Sequence, residues 1–426
     1  MDEMFLHYLW KFRLVNNLST VTGEPVDVIH PGINNADAGP DFFNAKIRIG
    51  NTLWAGNVEI HLRTSDFKKH GHQHDKNYSN LILHVVYEND TESNSTIPLT
   101  ELKGKFSLSL LKNYLHLSAS KKDIPCSNQI QQVNPLSVGA WLERMLAERL
   151  ERKADTIRTI LIENKNNWEE TFYRLLSVNF GFKLNAVPFE MLARLTPLKV
   201  LARHKNNLLQ LEAVLFGQAG LLPEKPEDDF HTSLLREYHL IQNKFKLKPM
   251  DGAVWKFART RPSNFPTIRI SQFASLIYKS SQLFSKIIET TRAKSLASIF
   301  ECEASDYWKE HYHFSKKSKT STRKNLGKSG IENILINTVA PILFLYGTER
   351  NDERFKDRAV SLLQFLPSEK NHIISQWNGC GIKSDNAADS QALLELKKYY
   401  CSKLKCLSCS IGNSILNSSP HHEAAR

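Results

Sequence analysis

The stretches DFFNAKIRIG (residues 41–50) and TLWAGNVEIHL (residues 52–62) alternate β-branched or aromatic residues with polar ones, and Gly50-Asn51 joins them. A period of two is what a half-buried strand requires, and a glycine-asparagine pair between two such stretches signals a tight turn. The segment predicts a β-hairpin, so the fold must supply a sheet to hold it. Around it, residues 3–15 space apolar side chains as one face of a helix, and EPVDVIHPG reads as a short strand closed by Pro31-Gly32. TSDFKKHGHQHDKNYS opens on the helix-capping pair Ser65-Asp66 and predicts a short helix or loop. LILHVVYEN, almost continuously apolar, has the pattern of a strand buried on both faces. Residues 1–118 are thus expected to form an α/β domain with the order helix, three strands, short helix or loop, strand.

The pattern changes at residue 119. ASKKDIPCSNQIQQVNP suggests a polar linker over 119–136, and the amphipathic run VGAWLERMLAERLERKADTIRTIL opens an α-helical domain over 137–314. Residues 315–330, basic and rich in Ser and Thr without apolar periodicity, suggest a flexible connector or a segment that orders on a polyanion. A helical segment with clustered cysteines over 331–416 and a disordered tail over 417–426 complete the expected plan, with no internal repeat.

The amino terminus, MDEMFLHYLWKF, has neither a basic leader nor a small-residue cleavage site. The apolar run ILINTVAPILFLYG is interrupted by Asn337, Thr338 and Pro341 and is too short for a bilayer. A cytoplasmic protein with no membrane partner is the expectation. A formal charge of +12 favours an anionic partner, with nucleic acid first.

The hairpin also carries chemistry. Asp41 and Glu59 lie on adjacent predicted strands, and two such carboxylates can share a divalent cation that takes oxygen ligands and activates water. Pro40-Asp41 and Glu59-Ile60-His61, set in this order of elements, resemble the PD-(D/E)XK nuclease superfamily over about the first hundred residues. The resemblance implies an αβββαβ restriction-endonuclease-like core, Mg²⁺ or Mn²⁺ at Asp41 and Glu59, and hydrolysis of DNA or RNA phosphodiesters. His61 stands where that pattern has lysine, and it becomes the third candidate catalytic residue. Lys46 is a candidate substitute cation, and Glu24 and Asp27 are candidate further carboxylates. GPDFFNAKI, VEIHLRTSDF, NLILHVVYEND, FGFKLNAVPFE, RTRPSNFPTIRISQFA and YYCSKLKCLSC are similar to the bacterial family catalogued as domain of unknown function 2851. That second resemblance implies a shared architecture rather than an activity.

Three further polar groups stand out. His70, His72 and His74 in HGHQHD offer imidazoles to a transition metal or form a solvated loop, and His84 reads as a hydrogen-bonded core residue. Arg259, Arg261 and Arg269, set among Trp255, Phe257 and Phe265, suit phosphate and base contacts or an irregular loop paired to helix carboxylates. LGKSG is no phosphate loop, because Thr322 stands where the first glycine is required. Cys380, Cys401, Cys406 and Cys409 offer four thiolates, enough for a [4Fe–4S] cluster or Zn²⁺, with the single close pair Cys406/Cys409 favouring iron–sulfur. The set is loosely similar, with different spacings, to cysteines that lock the C-terminal part of some helicase- and CRISPR-associated nucleases. Cys126 and Cys302 stand alone in sequence. The expectation is a metal-dependent nuclease; the alternative is a catalytically inactive nucleic-acid-binding or protein-interaction scaffold on a nuclease-like core.

Overall fold

A computed structural model describes residues 1–35, 38–71, 75–91, 96–226, 228–280, 282–314 and 316–418. The chain divides into two compact units. The first comprises Met1–Leu142, Gln376–Ile382 and Leu396–Arg426, and the second Glu143–Ser375 and Lys383–Glu395.

The first unit is built on a mixed sheet. Helix α1 (Glu3–Lys11) precedes β1 (Val26–His30), β2 (Ile33–Asn34), β3 (Phe42–Ile49) and β4 (Thr52–Arg63); a short helix α2 (Thr64–Lys69) leads to β5 (Leu81–Glu88), β6 (Leu99–Glu101) and helix α3 (Leu108–Ser118). The strand order is β1-β3-β4-β5-β6, with β2 also on β3. β1, β3 and β4 pair antiparallel, and β4, β5 and β6 pair parallel. The predicted hairpin is present: Ile49 pairs with Thr52, and Gly50 takes φ +56°, which glycine adopts without Cβ strain at the first position of a two-residue turn.

α1 starts where Asp2 accepts a hydrogen bond from Phe5 N at 3.1 Å, capping its first turn. It is shorter than the expected 3–15, because Arg13 adopts φ +52° and turns the chain out of the helix. Phe5, Leu6, Leu9 and Trp10 are fully buried, Phe5 stacks on Tyr114 of α3 at 4.7 Å, and Trp10 Nε1 donates to Pro31 O at 2.9 Å. Truncating such a buried aromatic to alanine costs about 3–5 kcal/mol. Residues 119–136 are not a free linker: Ile124, Cys126, Ile130 and Val133 are buried, so the segment's polar residues cover an apolar face. Helix α4 (Pro135–Glu163) follows, and the division between the units falls within it.

The second unit is mostly helical, with a core that includes Phe172, Tyr173, Phe180, Phe189 and Phe273. Residues 316–330 of the segment expected as a basic connector are structured. Glu303 bridges to Asn325, His311 pairs with Lys317, and buried Lys324 donates its ammonium to Lys309 O at 2.9 Å and to Trp308 O. The apolar run around Asn337 is longer than its sequence suggested, because the helix begins at Lys328 and continues to Arg350. It is long and apolar enough to cross a membrane, and 67% of its apolar 18-residue window is buried inside the protein, as in a core helix. The expected tail lies outside the described residues from 419 onward; Asn417 closes the helix Ser410–Asn417.

Candidate active site

The site arises from a bulge. Phe42 pairs with Val58, but Ala45 pairs with Gly56, so β3 spends one extra residue between these pairs. Asn44 absorbs it at φ +55°, a left-handed conformation that asparagine tolerates better than most residues, and its N–H faces Asn57 Oδ1 at 3.4 Å. With the register reset, Asp41 falls opposite Glu59. Without the bulge it would face Ile60, whose side chain points to the other side of the sheet.

The two acids then brace each other through the backbone. Asp41 N donates to Glu59 Oε2 at 3.2 Å, and Ile60 N donates to Asp41 Oδ2 at 2.9 Å. His7 of α1 places Nε2 3.3 Å from Asp41 Oδ2. Glu59 is only 4% exposed. Burial, the Asp41 charge and, more weakly, Glu3 push its carboxyl up to about 8, against the opposing hydrogen bond from Asp41 N. Burial also pushes the Tyr78 phenol up to about 12, helped by the negative charges of Glu59 and Asp41.

His61 shares a face with Glu59, two residues along β4, and its Nε2 lies 3.5 Å from Glu59 Oε1. Parallel pairing sets Glu59 beside His84 on β5, and His61 Nδ1 meets His84 Nε2 at 3.0 Å. His61 Nε2 also meets His70 Nδ1 at 3.2 Å. The imidazoles form a line from buried His84 through His61, 2% exposed, to exposed His70. Phe67 packs its ring on His61 and His84 at 6.1 and 5.1 Å. His72 and His74 lie outside the described residues. As the side chains stand, no group of three or more His, Cys, Asp or Glu among the described residues is set to hold a metal ion. The unit therefore offers a two-carboxylate platform with imidazoles beside it, which suits a cation that keeps much of its water.

The other candidate acids and cations are elsewhere. Lys46 pairs with Ala55, four residues from Glu59 and about 13 Å along the strand, so it does not join the Asp41–Glu59 pair. Asp27 pairs with Arg48, and Glu24 reaches the turn at Gly50, at the far end of the hairpin. Neither adds a carboxylate to Asp41 and Glu59. In the second unit Arg259 and Arg261 are exposed on an irregular stretch, but Arg269 is turned inward at 6% exposure. It donates to Gln272 Oε1 at 2.9 Å and Asn264 Oδ1 at 2.5 Å and lies over the Phe182 ring, which leaves it structural rather than presented to a ligand.

The four cysteines read in sequence lie within the first unit, and Cys126 joins them. Burial, then Cys126, Cys409 and Cys406, holds the Cys401 thiol well above its ordinary range. Cys126 is pushed up to about 12 by burial and by Cys409, Cys406 and Cys380, so it belongs to the cluster that its sequence position hides. Cys406 is pushed up to about 11 by burial and Cys409. Cys380 borders the group: Gln131 Nε2 reaches its carbonyl at 3.5 Å, and burial is what raises its thiol. Amides of Gly412 and Ile411 hydrogen-bond the Cys409 sulfur. Gly412 is obligatory, because a Cβ there would meet Cys406 O at 2.2 Å. Cys302 is buried in the second unit.

Fold and site together define a mixed-sheet unit with a buried carboxylate–imidazole centre, in a chain whose other unit is helical. The chain belongs to the family described as Protein of unknown function (DUF2851), whose profile matches residues 3–372. The C-terminal YYCSKLKCLSC falls outside that match. Comparison with curated proteins and with solved structures finds no match.

Proposed function

We propose that the first unit is a metal-dependent phosphodiesterase acting on nucleic acid, built on a PD-(D/E)XK-like core. The observation that carries this reading is the bulge at Asn44, which gives up regular pairing and brings Asp41 and Glu59 together across two strands. Asp41 and Glu59 would hold Mg²⁺ or Mn²⁺, and the buried, strongly raised Glu59 fits the site, since a carboxyl so placed ionises most readily beside a cation. The bound cation supplies positive charge against a phosphate oxygen and lowers the pKa of coordinated water.

His61 takes the position of the usual lysine and differs from it in kind. A lysine brings a fixed positive charge, whereas an imidazole exchanges protons near neutral pH. Held by His84 on one nitrogen, His61 can accept a proton at Nε2, 3.5 Å from Glu59 Oε1, and His70 on the same nitrogen leads outward. The formal charge of +12 supports a polyanionic substrate.

The buried thiols support a separate cofactor. Three come from Cys401, Cys406 and Cys409, and Cys126 is better placed than Cys380 to be the fourth. Tetrahedral Zn–S bonds of about 2.3 Å would need the sulfurs closed on one point. A set that shares one neighbourhood without closing on a single ion is better suited to [4Fe–4S], and it would lock the C-terminal segment to residues 124–133.

A second reading has one observation in its favour: His61 is fully engaged by neighbouring imidazoles, as in a structural core. The unit would then be an inactive scaffold that binds nucleic acid or a protein. Incubation of single- and double-stranded DNA and RNA with Mg²⁺ or Mn²⁺ separates the two. Cleavage that Glu59→Gln abolishes supports the phosphodiesterase, and binding without cleavage supports the scaffold.

A further inference from the structure

The sheet face that carries Glu59 does not end at the site. Along β4, Leu53, Ala55, Asn57, Glu59 and His61 alternate onto one face. On β3, Lys46 lies opposite Ala55 and Arg48 opposite Leu53, so both cations share that face with the carboxylates. Its covering changes midway. Asn57, Glu59 and His61 are buried, with Phe67 of α2 packed over His61, whereas Leu53, Ala55, Lys46 and Arg48 are all exposed. The face is roofed at the site and open toward the turn.

We propose that this open half is the substrate track: Lys46 and Arg48 hold the phosphates of a nucleic-acid strand that runs along β3 and β4 into the Asp41–Glu59 centre. The inference rests on the phosphodiesterase reading for where the strand leads, and on the hairpin register for where it lies. Lys46 and Arg48 are two residues apart on one strand, about 7 Å, comparable to the separation of successive phosphates. Lys46 is about 13 Å along the strand from Glu59, so phosphate contact begins about two nucleotides from the bond to be cut. Asp27 faces Arg48 from β1 and offsets part of its charge, while His30 faces Lys46, so Lys46 is the stronger of the two phosphate contacts. Opposite Lys46 the small Ala55 leaves room for a backbone to pass. Phosphate contacts read no sequence, so the track serves DNA and RNA alike.

The test uses full-length protein carrying Glu59→Gln, so that no oligonucleotide is consumed, with fluorescein-labelled 20-mers of DNA and of RNA. Binding is measured by anisotropy from 50 to 200 mM salt, with and without Lys46→Gln/Arg48→Gln. A control carries Lys112→Gln/Lys121→Gln, which removes the same charge from exposed positions of the same unit. Circular dichroism checks that each variant is folded, and Lys46→Arg/Arg48→Lys should restore binding. The track predicts at least tenfold weaker binding at low salt, and a log–log salt slope shallower by about 1.4 for a single strand, with the control unchanged. Equal losses in both double variants, or unchanged affinity in the track variant, overturn it. Cleavage by protein with intact Glu59 is scored separately. A track variant that binds less in a chain that never cleaves sinks the phosphodiesterase and keeps the track. Normal binding by the track variant of a cleaving protein does the reverse.

Discussion

Asp41 and Glu59 hold each other through two reciprocal hydrogen bonds: Asp41 N to Glu59 Oε2 at 3.2 Å, and Ile60 N to Asp41 Oδ2 at 2.9 Å. Each acid is fixed by the backbone of the strand opposite, so the spacing of the pair is set by β-sheet register. This relationship explains why a one-residue bulge some distance from the carboxylates decides whether the site exists.

Glu59 makes stability depend on pH. Its folded-state pKa, about 8, is raised above the ordinary 4.5, so its protonated form favours the folded chain. That contribution is complete below about pH 4.5 and is lost as pH rises through about 8. Glu59→Gln should therefore come close to wild type at pH 4.5 and exceed it at pH 9, by about 4 kcal/mol in metal-free protein. Urea denaturation in chelator at the two pH values checks this. Equal stabilities at pH 9 would show that Glu59 ionises without cost.

Asn44→Val should destabilise the first unit by about 1–2 kcal/mol, because a β-branched residue resists φ +55°. Asn44→Gly should be nearly neutral. Any activity or divalent-cation binding should fall further with valine than the stability loss explains, as the register of Asp41 shifts. Denaturation together with Mn²⁺ titration separates the two effects.

His61→Lys, which would introduce the lysine of the PD-(D/E)XK pattern, should not improve the protein. His61 is 2% exposed and bonded to His84 and His70, and a lysine would bury an ammonium and leave His84 without this partner. A loss of about 1–3 kcal/mol is expected by thermal melting. A gain in both stability and cleavage would show that the imidazole line is dispensable.

Cys126→Ser should remove most bound iron or zinc from anaerobically purified protein, while Cys380→Ser should retain it. Metal and acid-labile sulfide assays, with the visible spectrum, make the comparison. Retention in Cys126→Ser and loss in Cys380→Ser would restore the set read from spacing alone.

Much of the first unit is legible in the residues themselves. The Gly50-Asn51 turn, the alternation on either side and the apolar run at 81–88 signal β3, β4 and β5, because their causes are local. Asp41 and Glu59 could be paired in advance because the hairpin places them near each other in sequence. The His61–His84 contact could not, since it depends on parallel pairing of β4 with β5 through a crossover. One signal was present: Asn57, Glu59 and His61 put three polar residues in sequence on one side of a strand whose other side is Val58 and Ile60, with a further histidine in the apolar β5. Residues 119–136 read as a linker because Ile124, Cys126, Ile130 and Val133 are widely spaced among polar residues, without the helical period that marks a buried face. Cys126 was lost with them, its partners being close only in space. Arg269 differs from Arg259 and Arg261 only in lying on a buried helix, Pro266–Lys279, and a cluster of basic and aromatic residues does not reveal that.

On the proposed reading, Asp41 and Glu59 perform metal-dependent phosphodiester cleavage with His61 in place of lysine. The most direct measurement is cleavage of single- and double-stranded DNA and RNA by anaerobically purified full-length protein, with Mg²⁺, Mn²⁺ or chelator, beside Glu59→Gln. Cleavage that needs the cation and falls at least a hundredfold in the variant is the expected result. Binding of nucleic acid by both proteins with no cleavage by either, under every cation, would contradict it.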